Sequence, residues 1–179
     1  PDMKTRINIA LFLISSICAL LLLEILLRAM DFSYPSFYRV NEKTWTEHYP
    51  NAEGWQRSEG EAYIKINKNG IRGPLHSKIK PANTIRIAVL GDSFTEGWML
   101  NYVDTFVGII DAALTTKQID ILNAGRILTS PIIYWRKIKY LMENEGLRFD
   151  EVVVFLDISD PKDENDFYLT DDLNVALKY

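Results

Sequence analysis

The run Gly91-Asp92-Ser93-Phe94-Thr95-Glu96-Gly97 sets a serine directly behind a short apolar segment, Ile85 to Leu90 (IRIAVL). A serine just past a strand, at a sharp turn into a helix, exposes its hydroxyl above the sheet. The free N–H groups of the following helical turn then face the same space and suit an oxyanion. Gly91 lets the backbone turn tightly. The chemistry open to such a serine is nucleophilic, with an oxyanion held by those N–H groups. The competing reading is a loop whose serine merely caps a helix. The other groups able to move protons or hold charge are few. The histidines are His48 and His76, both ahead of Ser93, and each reads as an exposed or packed side chain. Asp157, Asp160, Asp163, Glu164 and Asp166 lie close together, with Asp171 and Asp172 beyond. Their spacing fits no calcium loop, and a solvated loop with an acidic helix start explains them better. No metal and no cofactor are called for.

The elements that must position Ser93 follow from periodicity. Thr84 opens a region in which IRIAVL, Ile119 to Leu122 and Glu151 to Leu156 (EVVVFL) read as strands. Between them, Asp104 to Thr115 has helical spacing with Phe106, Ile109, Ile110 and Leu114 on one face. Pro131 to Leu147 is a second helix, with Pro131 in its first turn and Gly146 near its end. Nearly uniform apolar strands alternating with helices imply an α/β fold, a doubly wound parallel sheet in three layers. Active sites of such sheets form at the carboxyl ends of the strands, where Ser93, Gly125 and Asp160 fall. Residues 31–83 form a polar, mixed segment between the amino-terminal stretch and this sheet. In it Ala62 to Ile66 reads as a strand and Asn69-Gly70 as a turn, giving a small hairpin.

The chain has 179 residues, 47% of them hydrophobic, and a net charge of -4. The apolar excess is concentrated in Ile7 to Met30. As a helix this stretch spans roughly 35 Å, enough for a bilayer core of about 30 Å. Glu24, the charge furthest inside it, lies near the far end. Lys4 and Arg6 precede it, which favours residues 1–6 in the cytoplasm and everything after Met30 outside. Arg28 pulls the other way. A cleaved signal peptide and a buried soluble helix are the alternatives, and no small-residue cleavage site follows the apolar run. Phe32, Tyr34, Phe37 and Tyr38 suit either an interfacial aromatic belt or packing on the body. Past residue 30 the net charge is -5 with no basic stripe, which argues against nucleic acid as a partner. The one cysteine, Cys18, allows no internal disulfide.

GDSFTEG after an apolar strand resembles the first sequence block of the SGNH (GDSL-like) serine hydrolases. The second strand runs into Leu122-Asn123-Ala124-Gly125, which resembles their second block. Asn69-Gly70-Ile71-Arg72-Gly73 resembles the segment that precedes Gly-Asp-Ser in anchored members. The resemblance covers about Ile64 to Asp160. It implies a flavodoxin-like sheet behind a transmembrane helix, with residues 84–179 a partial hydrolase domain. It also implies Ser93 as nucleophile, with the N–H groups of Ser93 and Gly125 holding the oxyanion and Asp92 and Asp160 supporting the site. Two departures matter. Where the third block ends in Gly-x-Asn-Asp, this chain has Asp157-Ile158-Ser159-Asp160. Ser159 then stands where the asparagine amide would complete the oxyanion hole. A lost oxyanion donor costs about 2.7 to 4 kcal/mol of barrier. The family's Asp-x-x-His block, which supplies the general base, is not in the sequence, and three strands are seen where about five are implied. The expectation is a sequence cut short of its base, inactive as it stands.

Two functions follow. One is a membrane-anchored esterase or acyl transferase working through an acyl-serine on O-acetyl esters of surface carbohydrate or on lipid esters. The other is a non-catalytic module of the same fold that binds glycan or supports envelope assembly.

Overall fold

The computed structural model describes residues 2–30, 37–57, 60–114, 117–170 and 175–177, with side chains as far as residue 165. Phe32, Tyr34, Thr115, Asp171 and Asp172, and the side chain of Asp166, lie outside that description. The chain divides into two compact units, Pro1–Tyr34 and Pro35–Tyr179, and each is described by itself.

The first unit is the helix α1, Met3–Ala29. Asp2 caps it by accepting the Thr5 N–H at 3.0 Å. The Ser15 and Ser16 hydroxyls donate back to the Phe12 carbonyl at 2.9 and 2.8 Å, so neither leaves a donor bare on the apolar surface. Glu24 pairs with Arg28 one turn on at 2.7 Å. Apolar residues surround the helix on every side, and none of them is buried. It is long and apolar enough to cross a membrane.

The second unit is mixed α/β, built on a three-stranded parallel sheet. Its strands are β5 (Ile85–Leu90), β6 (Ile119–Asn123) and β7 (Glu151–Val154), in the order β6-β5-β7. Side chains alternate across it. Ala88, Leu90 and Leu122 pack with Tyr134 and Leu141 of α4 (Pro131–Glu143) on one face. Val89 and Ile121 pack with Val107 of α3 (Phe106–Leu114) on the other. β5 is central, so the turn that leaves it is held from both sides. β7 is outermost, and its Val152, Val153 and Val154 are all exposed.

Ahead of the sheet lie two antiparallel pairs, β1 (Tyr38–Asn41) with β2 (Trp45–His48), and β3 (Glu53–Arg57) with β4 (Glu61–Lys65). The turn at Asn69-Gly70, with Gly70 at φ +70°, brings Arg72 back against Ile66, and Arg72 also bridges Asn123 at the end of β6. That turn therefore stitches this region to the sheet, and the hairpins belong to the same compact unit as the sheet. Phe37 is buried against Ala62, Ile64 and Ile66, and Tyr38 packs beside it. Packing on the body, not an aromatic belt, is the role of these two.

α3 is shorter than its sequence pattern and turned about its axis. A 3-10 turn, Tyr102–Asp104, precedes it. Gly108 then presses so close to the Tyr102 carbonyl that a Cβ would not fit. Val107 and Gly108 face inward and Phe106 and Leu114 pack beside them, while Ile109 and Ile110 are exposed. α4 ends at Glu143, and Gly146 at φ +67° turns the chain out. α5 (Asp160–Phe167) follows β7, and β8 (Tyr168–Thr170) pairs with β9 (Val175–Leu177).

Candidate active site

β5 ends at Leu90, and the chain turns at Gly91 into a single helical turn, α2 (Ser93–Glu96). A Cβ on Gly91 would collide with the Thr95 side chain and lie 2.9 Å from the Phe155 carbonyl, so only glycine fits. Asp92 is the cap: its Oδ1 accepts the Phe94 N–H at 2.9 Å. The capping task that would explain Ser93 as a structural residue is thus done by its neighbour. The Ser93 carbonyl accepts the N–H groups of Gly97 (3.0 Å) and Trp98 (2.9 Å), and Gly97 closes the turn at φ +80°. Thr95 and Glu96 are buried. Ser93 is half-buried, and among the described residues its hydroxyl has no hydrogen-bond partner.

Gly125 lies against this turn. A Cβ there would be 2.6 Å from the Glu96 nitrogen and 2.8 Å from the Thr95 carbonyl carbon. Asn123 joins the two segments: its Nδ2 donates to the Thr95 carbonyl at 3.0 Å, and its Oδ1 accepts the Gly125 N–H at 3.1 Å. The Gly125 donor is therefore engaged inside its own loop. Ser159 is exposed, and it donates its backbone N–H to Asp157 Oδ1 at 2.7 Å. This bond and a second from the Ser159 hydroxyl hold the Asp157 carboxyl below its ordinary value. Asp160 is buried and accepts the Tyr134 hydroxyl at 2.9 Å and the Asp157 N–H at 3.0 Å. Glu164 caps α4, accepting the Ser130 hydroxyl at 2.6 Å and the Ile132 N–H at 2.9 Å. These bonds account for three members of the acidic cluster, Asp157, Asp160 and Glu164. Burial pushes the Asp92 carboxyl up, and the charges of Asp160 and Asp157 add to it. Asp92, Asp157 and Asp160 thus share one neighbourhood beside Ser93, at the carboxyl ends of β5 and β7.

Neither histidine serves Ser93. His48 is buried, with Nε2 2.9 Å from Glu96 Oε1 and Nδ1 3.3 Å from the Gly70 carbonyl. Burial, then the Arg126 charge, depress its pKa, and the bond to a carboxylate assigns its proton to Nε2. His76 sits at the amino ends of the strands, opposite Ser93. Its Nδ1 is 2.7 Å from Asp120 Oδ1, and Asp120 Oδ2 accepts from Arg86 Nε at 2.6 Å.

A buried charge network not singled out from sequence surrounds the Ser93 turn. Glu96 Oε1 accepts from Tyr38 Oη at 2.7 Å as well as from His48, and its Oε2 accepts the Ile127 N–H at 2.6 Å. Glu47 Oε2 accepts from Arg126 Nη2 at 3.1 Å and from Lys137 Nζ, while its Oε1 accepts the Thr44 hydroxyl at 2.7 Å. Burial pushes both carboxyls up, but the bonds and cations around them outweigh it. Glu47 is held at about 2 by Lys137 and Arg126, and Glu96 at about 2 by His48 and Arg126. Burial lowers Lys137 to about 8, further than Glu47 restores it. Arg72 donates from Nη1 to the Glu96 carbonyl at 2.8 Å and also reaches the carbonyls of Gly97 and Leu100. The clue in the sequence was position: Glu96 lies inside the GDSFTEG run and Arg126 directly after Gly125.

Neither a family model nor a curated protein sequence matches the chain. The arrangement offers a serine on a braced turn at the carboxyl end of a central parallel strand, with its surroundings tied down and its hydroxyl free of protein partners among the described residues.

Proposed function

We propose that this chain is a membrane-anchored serine esterase or acyl transferase of the SGNH type, with Ser93 as nucleophile. The Ser93 oxygen attacks the carbonyl of an acyl ester and gives up its proton to a base. The alcohol departs with a proton, and the acyl group stays on Ser93. Water then releases it as the acid, or a second alcohol takes it over. The base is a group other than His48 and His76, since both are committed elsewhere. The N–H groups of Ser93 and Gly125 receive the oxyanion, Gly125 by exchanging its bond to Asn123. Ser159 reaches the site only by releasing Asp157. The parallel sheet, with α3 on one face and α4 on the other, is of the doubly wound, flavodoxin-like kind, and α1 is a single-pass anchor with its amino end in the cytoplasm. Lys4 and Arg6 ahead of the apolar stretch favour that orientation. Surface carbohydrate O-acetyl esters, or lipid esters, fit a domain outside the cytoplasm.

The observation that carries this reading is the contrast at the turn. Asp92 caps the turn and Thr95, Glu96 and Gly97 are buried within it, while the half-buried Ser93 hydroxyl has no hydrogen-bond partner among the described residues. The experiment is acetylation of the purified chain in detergent micelles by p-nitrophenyl acetate, followed by intact mass and peptide mapping. One acetyl group on Ser93, absent from Ser93→Ala, supports the reading. Equal acetylation of the two proteins would sink it.

A second reading, a non-catalytic module binding glycan or supporting envelope assembly, is favoured by different observations. His48 and the Gly125 N–H are both engaged, and Ser159 is turned to Asp157. It predicts no Ser93 adduct at any pH at which the chain is folded.

A further inference from the structure

The hairpin β1–β2 is wedged into the Ser93 region, not laid over it. Adjacent residues of a strand point to opposite sides, yet Glu47 and His48, consecutive on β2, are 3% and 2% exposed. Each side grips something different. His48 meets Glu96 on the Ser93 turn, and Glu47 meets Arg126, the residue after Gly125, and Lys137 on α4. From β1, Tyr38 reaches the same Glu96 oxygen as His48.

Glu96 is where these ties converge. It is 2% exposed, and three donors surround its carboxylate: Tyr38 Oη (2.7 Å), His48 Nε2 (2.9 Å) and the Ile127 N–H (2.6 Å). It stands three residues after Ser93 in one helical turn, and Ile127 stands two residues after Gly125. The carboxylate therefore spans the segment bearing the nucleophile and the segment bearing the proposed oxyanion donor, and it hangs both on the hairpin.

We propose that Glu96 is a positioning residue that fixes the Gly125 loop against the Ser93 turn, and that Tyr38 and His48 of the β1–β2 hairpin act through it, making the segment ahead of the sheet a working part of the site. The inference rests on the serine reading above. The fixed carboxylate keeps the Gly125–Leu128 backbone in one place as the acyl carbonyl arrives, and a misplacement of about 1 Å at such a site costs on the order of a hundredfold in rate.

The test uses the full chain in micelles with Glu96→Gln, Tyr38→Phe and, as a remote control, Glu53→Gln. Three quantities are read at a temperature where all are folded: the rate constant for Ser93 phosphonylation by a fluorophosphonate, amide exchange over Gly125–Leu128, and the unfolding midpoint. Glu96→Gln keeps the volume but has one acceptor oxygen for three donors. It should slow phosphonylation about tenfold or more and speed exchange over Gly125–Leu128. Tyr38→Phe, which removes one bond and no charge, should fall between it and the wild type, and Glu53→Gln should change neither rate. Phosphonylation within about twofold of wild type in both Glu96→Gln and Tyr38→Phe, whatever the midpoint, would overturn the positioning role while leaving Ser93 as nucleophile. Should Glu96→Gln fail to fold, Tyr38→Phe alone decides. A wild-type chain that takes no label removes the serine reading itself, and the positioning role with it.

Discussion

Replacing Glu47 by glutamine should unfold this protein more readily than almost any other conservative change. Its carboxylate is buried, and one oxygen serves both Arg126 and Lys137, whose side chains are 4% and 7% exposed. The other oxygen accepts from Thr44, itself fully buried. Glutamine fills the same volume but removes the carboxylate charge that pairs directly with two buried cations. Deleting one partner of a buried ion pair costs about 3–5 kcal/mol, because the surviving charge is left desolvated. At about 2–4 °C per kcal/mol for a chain of this size, the midpoint should fall by roughly 6–20 °C. Removing Lys137 as well should return part of that loss, so Glu47→Gln with Lys137→Met should be more stable than Glu47→Gln alone. The assay is thermal unfolding for the midpoint and urea unfolding for the free energy, both in micelles and followed by tryptophan fluorescence, since Trp98 packs 6.3 Å from the Tyr38 ring at the edge of the network. A Glu47→Gln chain within about 1 kcal/mol of wild type, the value of an exposed ion pair, would refute the burial argument.

Gly125→Ala drives a methyl group into the backbone of Thr95 and Glu96, which has no rotamer to relax into. It should cost about 1–3 kcal/mol in the same unfolding assay and slow Ser93 phosphonylation. Acid should reveal the two buried carboxyls. Glu47 and Glu96 are held at about 2 against an ordinary 4.5, so the stability they contribute is complete above 4.5 and is lost as pH falls towards 2. The midpoint should therefore drop steeply across that window, and Glu96→Gln should flatten part of the drop. For α1, Leu13→Arg puts a charge into the apolar stretch at a cost of about 2.5–3.5 kcal/mol. That variant should be extracted by alkaline carbonate more readily than the wild type, which should stay with the membrane.

The sheet was legible because IRIAVL and EVVVFL are runs of apolar, largely β-branched residues, the pattern of parallel strands; the central strand is covered as that pattern implies, whereas Val152, Val153 and Val154 of the outer one are exposed. β1 and β2 were not: YRVN and WTEH are short and polar, and nothing in their alternation marks Glu47 and His48 as buried on opposite sides. The turn at Asn69-Gly70 was legible as a turn, but its purpose, carrying Arg72 to Asn123, depends on contacts far apart in the chain. The face of α3 was legible in part: Phe106 and Leu114 pack on the core, while Ile109 and Ile110 are exposed for a steric reason. Gly108 fits where Tyr102 crowds the helix, so Val107 and Gly108 turn inward in place of Ile109 and Ile110. Ser93, Gly125 and Asp160 fall at the strand ends where the alternation of strands and helices put them. Glu96, Arg126 and Lys137 escaped notice because a charge in a sequence reads as solvated until a partner is seen. The two histidines, each read as exposed or packed, are both packed, and each faces a carboxylate.

The most direct measurement of the central claim is the site of covalent labelling by a fluorophosphonate, mapped by peptide mass spectrometry on the full chain and on Ser93→Ala at equal folded fraction. The account predicts an adduct on Ser93 and none in the variant. An adduct on any other serine at the same rate in both proteins, or no adduct on the wild type, would contradict it.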